Sequence, residues 1–440
     1  MNGETKVSPP QILVLGFGGL ILLGSLLLSL PMASETGRAV PYLDALFTAT
    51  SATAVTGLTV VHTRDTFSLF GELVIMGLIQ IGGLGLMTMA TLVALTTGRR
   101  ITLRQRVIIQ EALGESRLGG IVRLTKAVLV FTALVEGAGA LLLGFHWAPV
   151  FGWGTAFYYG LFHAVSAFCN AGFDLFTSSL EAFRGDWLVC LVISTLFVIG
   201  GLGFHVVTEL GSNWRWHRVS LHTRLVVVTT LFLIGAGTLG ILLLEADNPA
   251  TLAGLPWSEK VLASYFQAVT PRTAGFSTLP IGQMREATLW LLIGLMFVGA
   301  SPGSTGGGIK TTTFATLLAM VATILSGKEQ TTVFGRRLGT MTVFRAMAIT
   351  LISLGVVVSA ALVLLVAGDG TLGEALFEST SAFGTVGLSR GITPELSAVG
   401  KLALIFTMFV GRVGPLTLGF ALVHRTHARI HLPEEKITVG

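Results

Sequence analysis

The sequence predicts an all-α integral membrane fold: four pseudo-repeated helix–pore-loop–helix units, with eight transmembrane helices and four re-entrant pore helices around a central pore. Three observations carry that expectation. Hydrophobic residues make up 52% of the 440 and charged residues only 12%, against about 25% charged in a soluble domain. Eight apolar stretches, at 11–33, 71–96, 126–148, 187–210, 223–245, 287–325, 343–367 and 401–423, have the ~20-residue length that crosses a ~30 Å hydrocarbon core. A Gly-centred motif recurs four times, as SATAVTGLT (Ser51 to Thr59), SAFCNAGFD (Ser166 to Asp174), TPRTAGFST (Thr270 to Thr278) and SAFGTVGLS (Ser381 to Ser389). Its pivots, Gly57, Gly172, Gly275 and Gly387, lie 115, 103 and 112 residues apart, and Phe47, Phe162, Phe266 and Phe377 stand nine or ten residues before them. The chain therefore divides into units 1–97, 98–213, 214–326 and 327–424, with a tail at 425–440.

The first stretch, 11–33, is too long for a signal-peptide core and lacks a small-residue cleavage site, so it reads as a retained helix. Next comes the first of four short segments, at 43–54, 157–168, 258–269 and 373–384. At about 12 residues, or ~18 Å as a helix, none can span. Each must enter the membrane and return to the same face, where the next long helix starts. Irregular backbone at that depth survives only when buried in protein or lining water, and four such loops satisfy one another by converging on an axis.

Their carbonyls would then face a cation, as carbonyl rings replace the hydration shell of K⁺. The candidate filter residues are Val55, Thr56 and Gly57; Asn170, Ala171 and Gly172; Thr273, Ala274 and Gly275; and Thr385, Val386 and Gly387. Glycine at the pivot adopts positive φ readily, and each short helix points its negative dipole end inward. Thr385-Val386-Gly387-Leu388 comes closest to the TVGYG of K⁺ channels. The other three share only the Gly and a following large apolar residue, so fewer strong ion sites are expected than in a fourfold-identical filter. The bland alternative, glycines that merely end short helices, would suit one loop better than four at matching offsets.

The helices after the loops repeat as well. Ile81-Gly82-Gly83-Leu84-Gly85 and Ile199-Gly200-Gly201-Leu202-Gly203 are identical pentapeptides, with Val298-Gly299 and Val410-Gly411 at the equivalent place; these glycines read as close helix packing. The 287–325 stretch is too long for one straight span and is broken by Ser301-Pro302-Gly303-Ser304-Thr305-Gly306-Gly307-Gly308, followed by Ile309-Lys310. Proline removes a donor and clashes with the preceding turn, while the glycines and hydroxyls suit an ordered loop that would block ions if it projects into the cavity. A phosphate-binding loop is rejected, because the spacing is one residue too long and no strand precedes it. Arg412, mid-helix in Phe409-Val410-Gly411-Arg412-Val413-Gly414-Pro415, is an intramembrane charge and so a functional candidate. It must face water, carbonyls or a carboxylate, either as a barrier to cations or as a tie to the loop.

Basic residues orient the chain. Lys6 and the segments 98–126, 211–224, 325–345 and 424–440 hold 18 of the 28 Lys and Arg, and the alternate loops hold seven. The positive-inside rule then puts both termini in the cytoplasm. Topology accounts for the net charge of +5, and no nucleic-acid partner is implied. Cys169 and Cys190 suggest neither a disulfide framework nor a metal site. Glu136 and Glu378 read as hydrogen-bonded structural carboxylates, and Asp174 as an outward group that concentrates cations. Arg272 is expected to turn away from the axis and tie down its loop. His62, His146, His163 and His205 show no ligand spacing. The basic segment Arg99–Lys126 is explained by topology, with docking of a cytosolic partner as a further expectation. A polytopic enzyme would need a catalytic constellation, and HExxH and paired metal-spaced acids are missing from the sequence. An alternating-access solute carrier usually rests on two inverted repeats, not four same-sense units.

With these residues in place, the four-unit design, TPRTAGF and the Gly-rich break together resemble the Trk/Ktr/HKT superfamily of potassium transporters over about 11–424. Eight spans without two extra N-terminal helices are most similar to the Ktr-type B subunit. The resemblance implies K⁺ uptake across the cell inner membrane, often stimulated by Na⁺, and a homodimer in membrane lipid. It also implies a cytosolic nucleotide-binding (RCK-type) regulatory ring, and an intramembrane gate at 301–310 with Arg412 beside it. Sodium-selective plant relatives carry Ser where this chain has Gly57, so K⁺ is expected over the alternative of a Na⁺-selective or non-selective cation path.

Overall fold

The structure, a computed structural model, describes residues 9–85, 121–212 and 215–422. The expected docking segment falls largely, and the C-terminal tail wholly, outside them. Each unit opens with a long apolar helix: α1 (Pro9–Leu28), α5 (Ile121–Phe151), α9 (Leu221–Glu245) and α13 (Thr340–Ala367). Among the described residues these four are long and apolar enough to cross a membrane.

A short helix follows in each unit: α2 (Tyr42–Ala54), α6 (Trp153–Phe168), α10 (Trp257–Val269) and α14 (Leu372–Gly384). These match the expected short segments, with α6 starting four residues earlier, directly after Gly152. The C-terminal halves of all four are buried. Phe47, Phe162, Phe266 and Phe377, the repeated aromatic, are each at most 1% exposed. Their role is to wedge a helix too short to span among its neighbours. Phe266→Ala is expected to lose about 3–5 kcal/mol, read as a lower apparent Tm of the full chain in detergent micelles.

The second helices depart from expectation. A break was foreseen only in the third unit, yet among the described residues the second helices of units two and four break as well, and that of unit one ends at Gly85. After the single turn α3 (Thr63–Thr66), helix α4 (Leu69–Leu84) ends at Gly85, and α7 (Trp187–Leu202) meets α8 (Phe204–Ser212) at Gly203 with a 99° bend. Helix α11 (Glu286–Phe297) gives way to the 298–310 loop before α12 (Thr311–Leu325). Helix α15 (Ala398–Val413) yields to α16 (Pro415–Leu422) at Gly414. Gly85, Gly203 and Gly414 share φ of 86, 92 and 91° with ψ of 140, 140 and 135°. That conformation is open to glycine and closed to other L-residues, so one residue turns the chain without interrupting the apolar run.

One device repeats where the first and second helices of a unit meet, at the end opposite the basic segments. Ser68 donates to the Met32 carbonyl at 2.7 Å, and the His146 ring meets Asp186 at 2.6 Å. Glu245 accepts from the Arg285 amide at 2.9 Å, and Asp369 from the Ser397 amide and hydroxyl at 2.9 and 2.8 Å. Ser68, Asp186 and Ser397 are also the N-caps of their helices. Between α12 and α13 a two-residue hairpin pairs β1 (Thr332–Val333) with β2 (Arg336–Arg337).

Candidate functional site

The four short helices end in the same turn. Val55, Asn170, Thr273 and Thr385, each two residues before its glycine, sit in the left-handed region at φ 59, 60, 66 and 51°. Gly57, Gly172, Gly275 and Gly387 follow at φ 91, 69, 78 and 93°. Such repetition among non-glycine residues is rare and locally strained. A hydroxyl stands behind each turn. Ser51 and Ser381 accept from the amides of Gly57 and Gly387 at 3.0 and 3.1 Å, while Ser166 and Thr270 donate to the carbonyls of Phe173 and Phe276, both at 2.6 Å. Each of these four braces is the first letter of its motif.

The turns close into a ring. A Cβ on Gly57 would lie 2.5 Å from the Ala171 carbonyl oxygen, on Gly172 2.9 Å from that of Ala274, and on Gly275 2.6 Å from that of Val386. The circuit returns to its start, because a Cβ on Gly387 would strike the Thr56 carbonyl. All four candidate loops are thus brought together, each glycine facing a carbonyl of the next.

The second helices press on the ring from outside. Cβ atoms on Gly82, Gly200 and Gly411 would collide with the carbonyls of Thr53, Phe168 and Phe383, at the ends of the short helices of the same units. The third unit differs, since Gly299 packs instead against Gly307 of the loop. The close-packing reading of these glycines describes their geometry.

Beneath the ring lies the 301–308 loop, held by units two and four. The Ser301 and Thr305 amides donate to Gly201 and Gly200 at 3.0 and 3.2 Å, and Gly303 accepts from Phe204 at 3.1 Å. Arg412 donates to the carbonyls of Thr305, Gly82 and Gly83 and lies 6.0 Å from the Phe17 ring centroid. Lys310 donates to the Gly306 carbonyl at 2.7 Å. Arg412 therefore makes the tie, bonding the loop of unit three to the second helix of unit one. Backbone carbonyls accept it, a partner no side-chain pattern announces.

The weaker candidates divide. Glu378 accepts from Ser389, Thr393 and the Arg390 amide at 2.7, 2.8 and 2.9 Å, and Glu136 from Gln80 at 3.1 Å on both oxygens; both are structural. Arg272 lines a ~10 Å³ cavity with Phe197 and Thr230, and its backbone carbonyl accepts from Asn170 at 3.3 Å. His163 bonds the Tyr159 carbonyl at 2.7 Å, and His205 lies 4.0 Å from Glu209. No His, Cys, Asp and Glu cluster that could hold a metal occurs among the described residues.

Asp174 lines a cavity of about 130 Å³ together with Gly57, Gly172, His62, Arg64 and Asp65. Burial pushes its carboxyl up to about 7. A raised carboxyl is neutral below that value and charged above it, so a cation-attracting role for it would fade as pH falls through 7. Uptake is expected to drop between pH 8 and pH 6, and Asp174→Asn to flatten that profile, checked by initial rates of ⁸⁶Rb⁺ entry.

A family model described as TrkH, cation transport protein, matches residues 20–436. The chain belongs to this family. Relatives include Ktr system potassium uptake protein B of Bacillus subtilis, 44% identical over 99% of this chain and 97% of its own length. The protein of the same description from Vibrio alginolyticus is 40% identical over 99% and 96%. Potassium/sodium uptake protein NtpJ of Enterococcus hirae is 39% identical over 99% and 98%. Among solved structures, the potassium transporter TrkH from Vibrio parahaemolyticus superposes with a TM-score of 0.76 at 20% identity, covering 96% of this TrkH-family chain and 87% of its own. That likeness concerns the fold.

Proposed function

We propose that this chain takes up K⁺ across the cytoplasmic membrane through the ring of four glycine turns, with the 301–308 loop and Arg412 as its gate. The observation that carries the reading is the closed circuit in which each filter glycine faces the carbonyl before the next one. Carbonyl rings of this kind replace the hydration shell of a monovalent cation. The strained turns, braced by Ser51, Ser166, Thr270 and Ser381, keep the carbonyls preorganised rather than free to collapse on a smaller ion. Kinship to two proteins described as Ktr system potassium uptake protein B, at 44% and 40% identity, supports K⁺ as the cargo. The potassium/sodium description of the Enterococcus hirae relative supports Na⁺ as a second or activating ion.

The word "system" in those descriptions supports a separate partner, and the proposed arrangement is a homodimer with both termini cytoplasmic, docked on an RCK-type ring. Growth rescue of a K⁺-uptake-deficient bacterium tests the reading. The chain, expressed alone or with a cytosolic partner, is expected to restore growth at low K⁺ and to drive ⁸⁶Rb⁺ entry. A chain that reaches the membrane, is co-expressed with the partner and moves no Rb⁺ would overturn it.

A further inference from the structure

Three successive residues of the loop touch three equivalent positions of the ring above it. The Thr305 hydroxyl donates to Asn170 Oδ1 at 2.7 Å. Gly306 lies against Thr273, so close that a Cβ would collide with Oγ1. The Gly307 amide donates to Thr385 Oγ1 at 3.0 Å. Asn170, Thr273 and Thr385 are the left-handed residues two before the filter glycines, and their fourth counterpart is the apolar Val55. All four are fully buried.

The three polar side chains present oxygen to this space. Asn170 Nδ2 is committed to the carbonyls of Phe197 and Arg272 at 3.1 and 3.3 Å, which leaves Oδ1 facing the loop. Thr385 Oγ1 accepts from the loop, so its lone pairs point there too. Thr273 Oγ1 is buried with no hydrogen-bond partner, and a buried polar atom left unpaired asks for an explanation. Neither the family match nor the carbonyl ring accounts for this collar of oxygens.

We propose that Asn170 Oδ1, Thr273 Oγ1 and Thr385 Oγ1 form an inner site for a monovalent cation, one layer below the carbonyl ring, and that the loop closes by occupying the same oxygens. The inference rests on the filter reading above and adds to it a rule for the gate. An oxygen that accepts from Thr305 or from the Gly307 amide cannot also turn that lone pair on a cation. Loop and ion therefore exclude each other, and a cation arriving through the filter favours the open loop by its binding free energy. Residue 306 must be glycine for the loop to seat, and Val55 leaves one side of the collar without a ligand.

The test uses Ser304→Cys in the full chain, reconstituted in lipid nanodiscs and labelled with a maleimide. The native chain serves as the blank, since Cys169 and Cys190 are buried. The labelling rate is compared in N-methylglucamine and in K⁺ at ten times the concentration that half-saturates uptake. Exclusive binding to the open form predicts a roughly tenfold faster rate in K⁺; an equal or slower rate overturns the proposal. On the same background Thr305→Val removes one donor and is expected to label several-fold faster without K⁺, while Thr305→Ser behaves as Thr. Native-rate labelling of Thr305→Val also overturns it, and if that variant fails to fold the K⁺ comparison still decides. Labelling that ignores K⁺ in a chain whose Rb⁺ uptake remains sensitive to filter-glycine substitution refutes the competition alone. Insensitivity of uptake to those glycines refutes the filter reading itself.

Discussion

Gly275→Ala is expected to abolish ion uptake without reducing the amount of protein in the membrane. The new methyl would lie 2.6 Å from the Val386 carbonyl oxygen and 2.8 Å from Gly172 Cα, on a residue whose φ is 78°. Both obstacles are backbone atoms of the neighbouring turns, so no flexible side chain can move aside. The left-handed backbone alone costs an alanine about 1–2 kcal/mol. The collision adds to it, and relief comes only by pushing a carbonyl off the axis. Displacing a reacting or binding group by ~1 Å can cost on the order of a hundredfold in rate, and uptake should fall at least that far. Gly355→Ala, in the spanning helix α13 with open space around it, is the matched control and should leave uptake near native. Rb⁺ initial rates normalised to membrane protein read both.

Arg412→Gln should act in the opposite direction and raise uptake. Arg412 bonds carbonyls of the loop and of the first unit's second helix at once, and a hydrogen bond from a charged donor contributes about 1.5–3 kcal/mol. Losing even one such bond to the closed loop shifts its equilibrium roughly ten- to a hundredfold toward open. Arg412→Lys separates tie from barrier. It keeps the positive charge near the pathway but loses the planar fork that reaches Thr305 and Gly82 together. If the tie dominates, Lys resembles Gln; if fixed charge dominates, Lys resembles the native chain. Rb⁺ influx at low external K⁺ distinguishes the two.

How much of this was legible in the chain depends on whether a feature repeats in side-chain identity. The four glycines, the wedged phenylalanines and the short helices were readable, because composition and offset encode them. Three of the four short helices begin one residue before the expected start and all four end where expected. The helix end at Gly85 and the breaks at Gly203 and Gly414 were not. A single φ reversal leaves hydropathy unchanged, so an apolar run of 20 residues looks the same straight or bent. Arg412 was recognisable as costly, but its partners Gly82 and Gly83 lie 330 and 329 residues away and accept through the main chain. The braces at Ser51, Ser166, Thr270 and Ser381 were visible in the motif and went unread, because serine near a helix end has many commoner uses. Asp174 was read as an outward group that concentrates cations. Its burial beside Phe176 and Ser179 is a tertiary fact.

The account turns on the ring being the place where cations are chosen. The most direct measurement is Na⁺ competition against ⁸⁶Rb⁺ uptake in the native chain and in Gly57→Ser. A side chain at Gly57 would meet the Ala171 carbonyl at 2.5 Å, so the serine must distort one carbonyl of the ring. Na⁺ should then compete about ten times more effectively than in the native chain, a change of ~1.4 kcal/mol in discrimination. An unchanged ratio, in a variant that reaches the membrane in native amounts and still transports, would place selection elsewhere in the molecule.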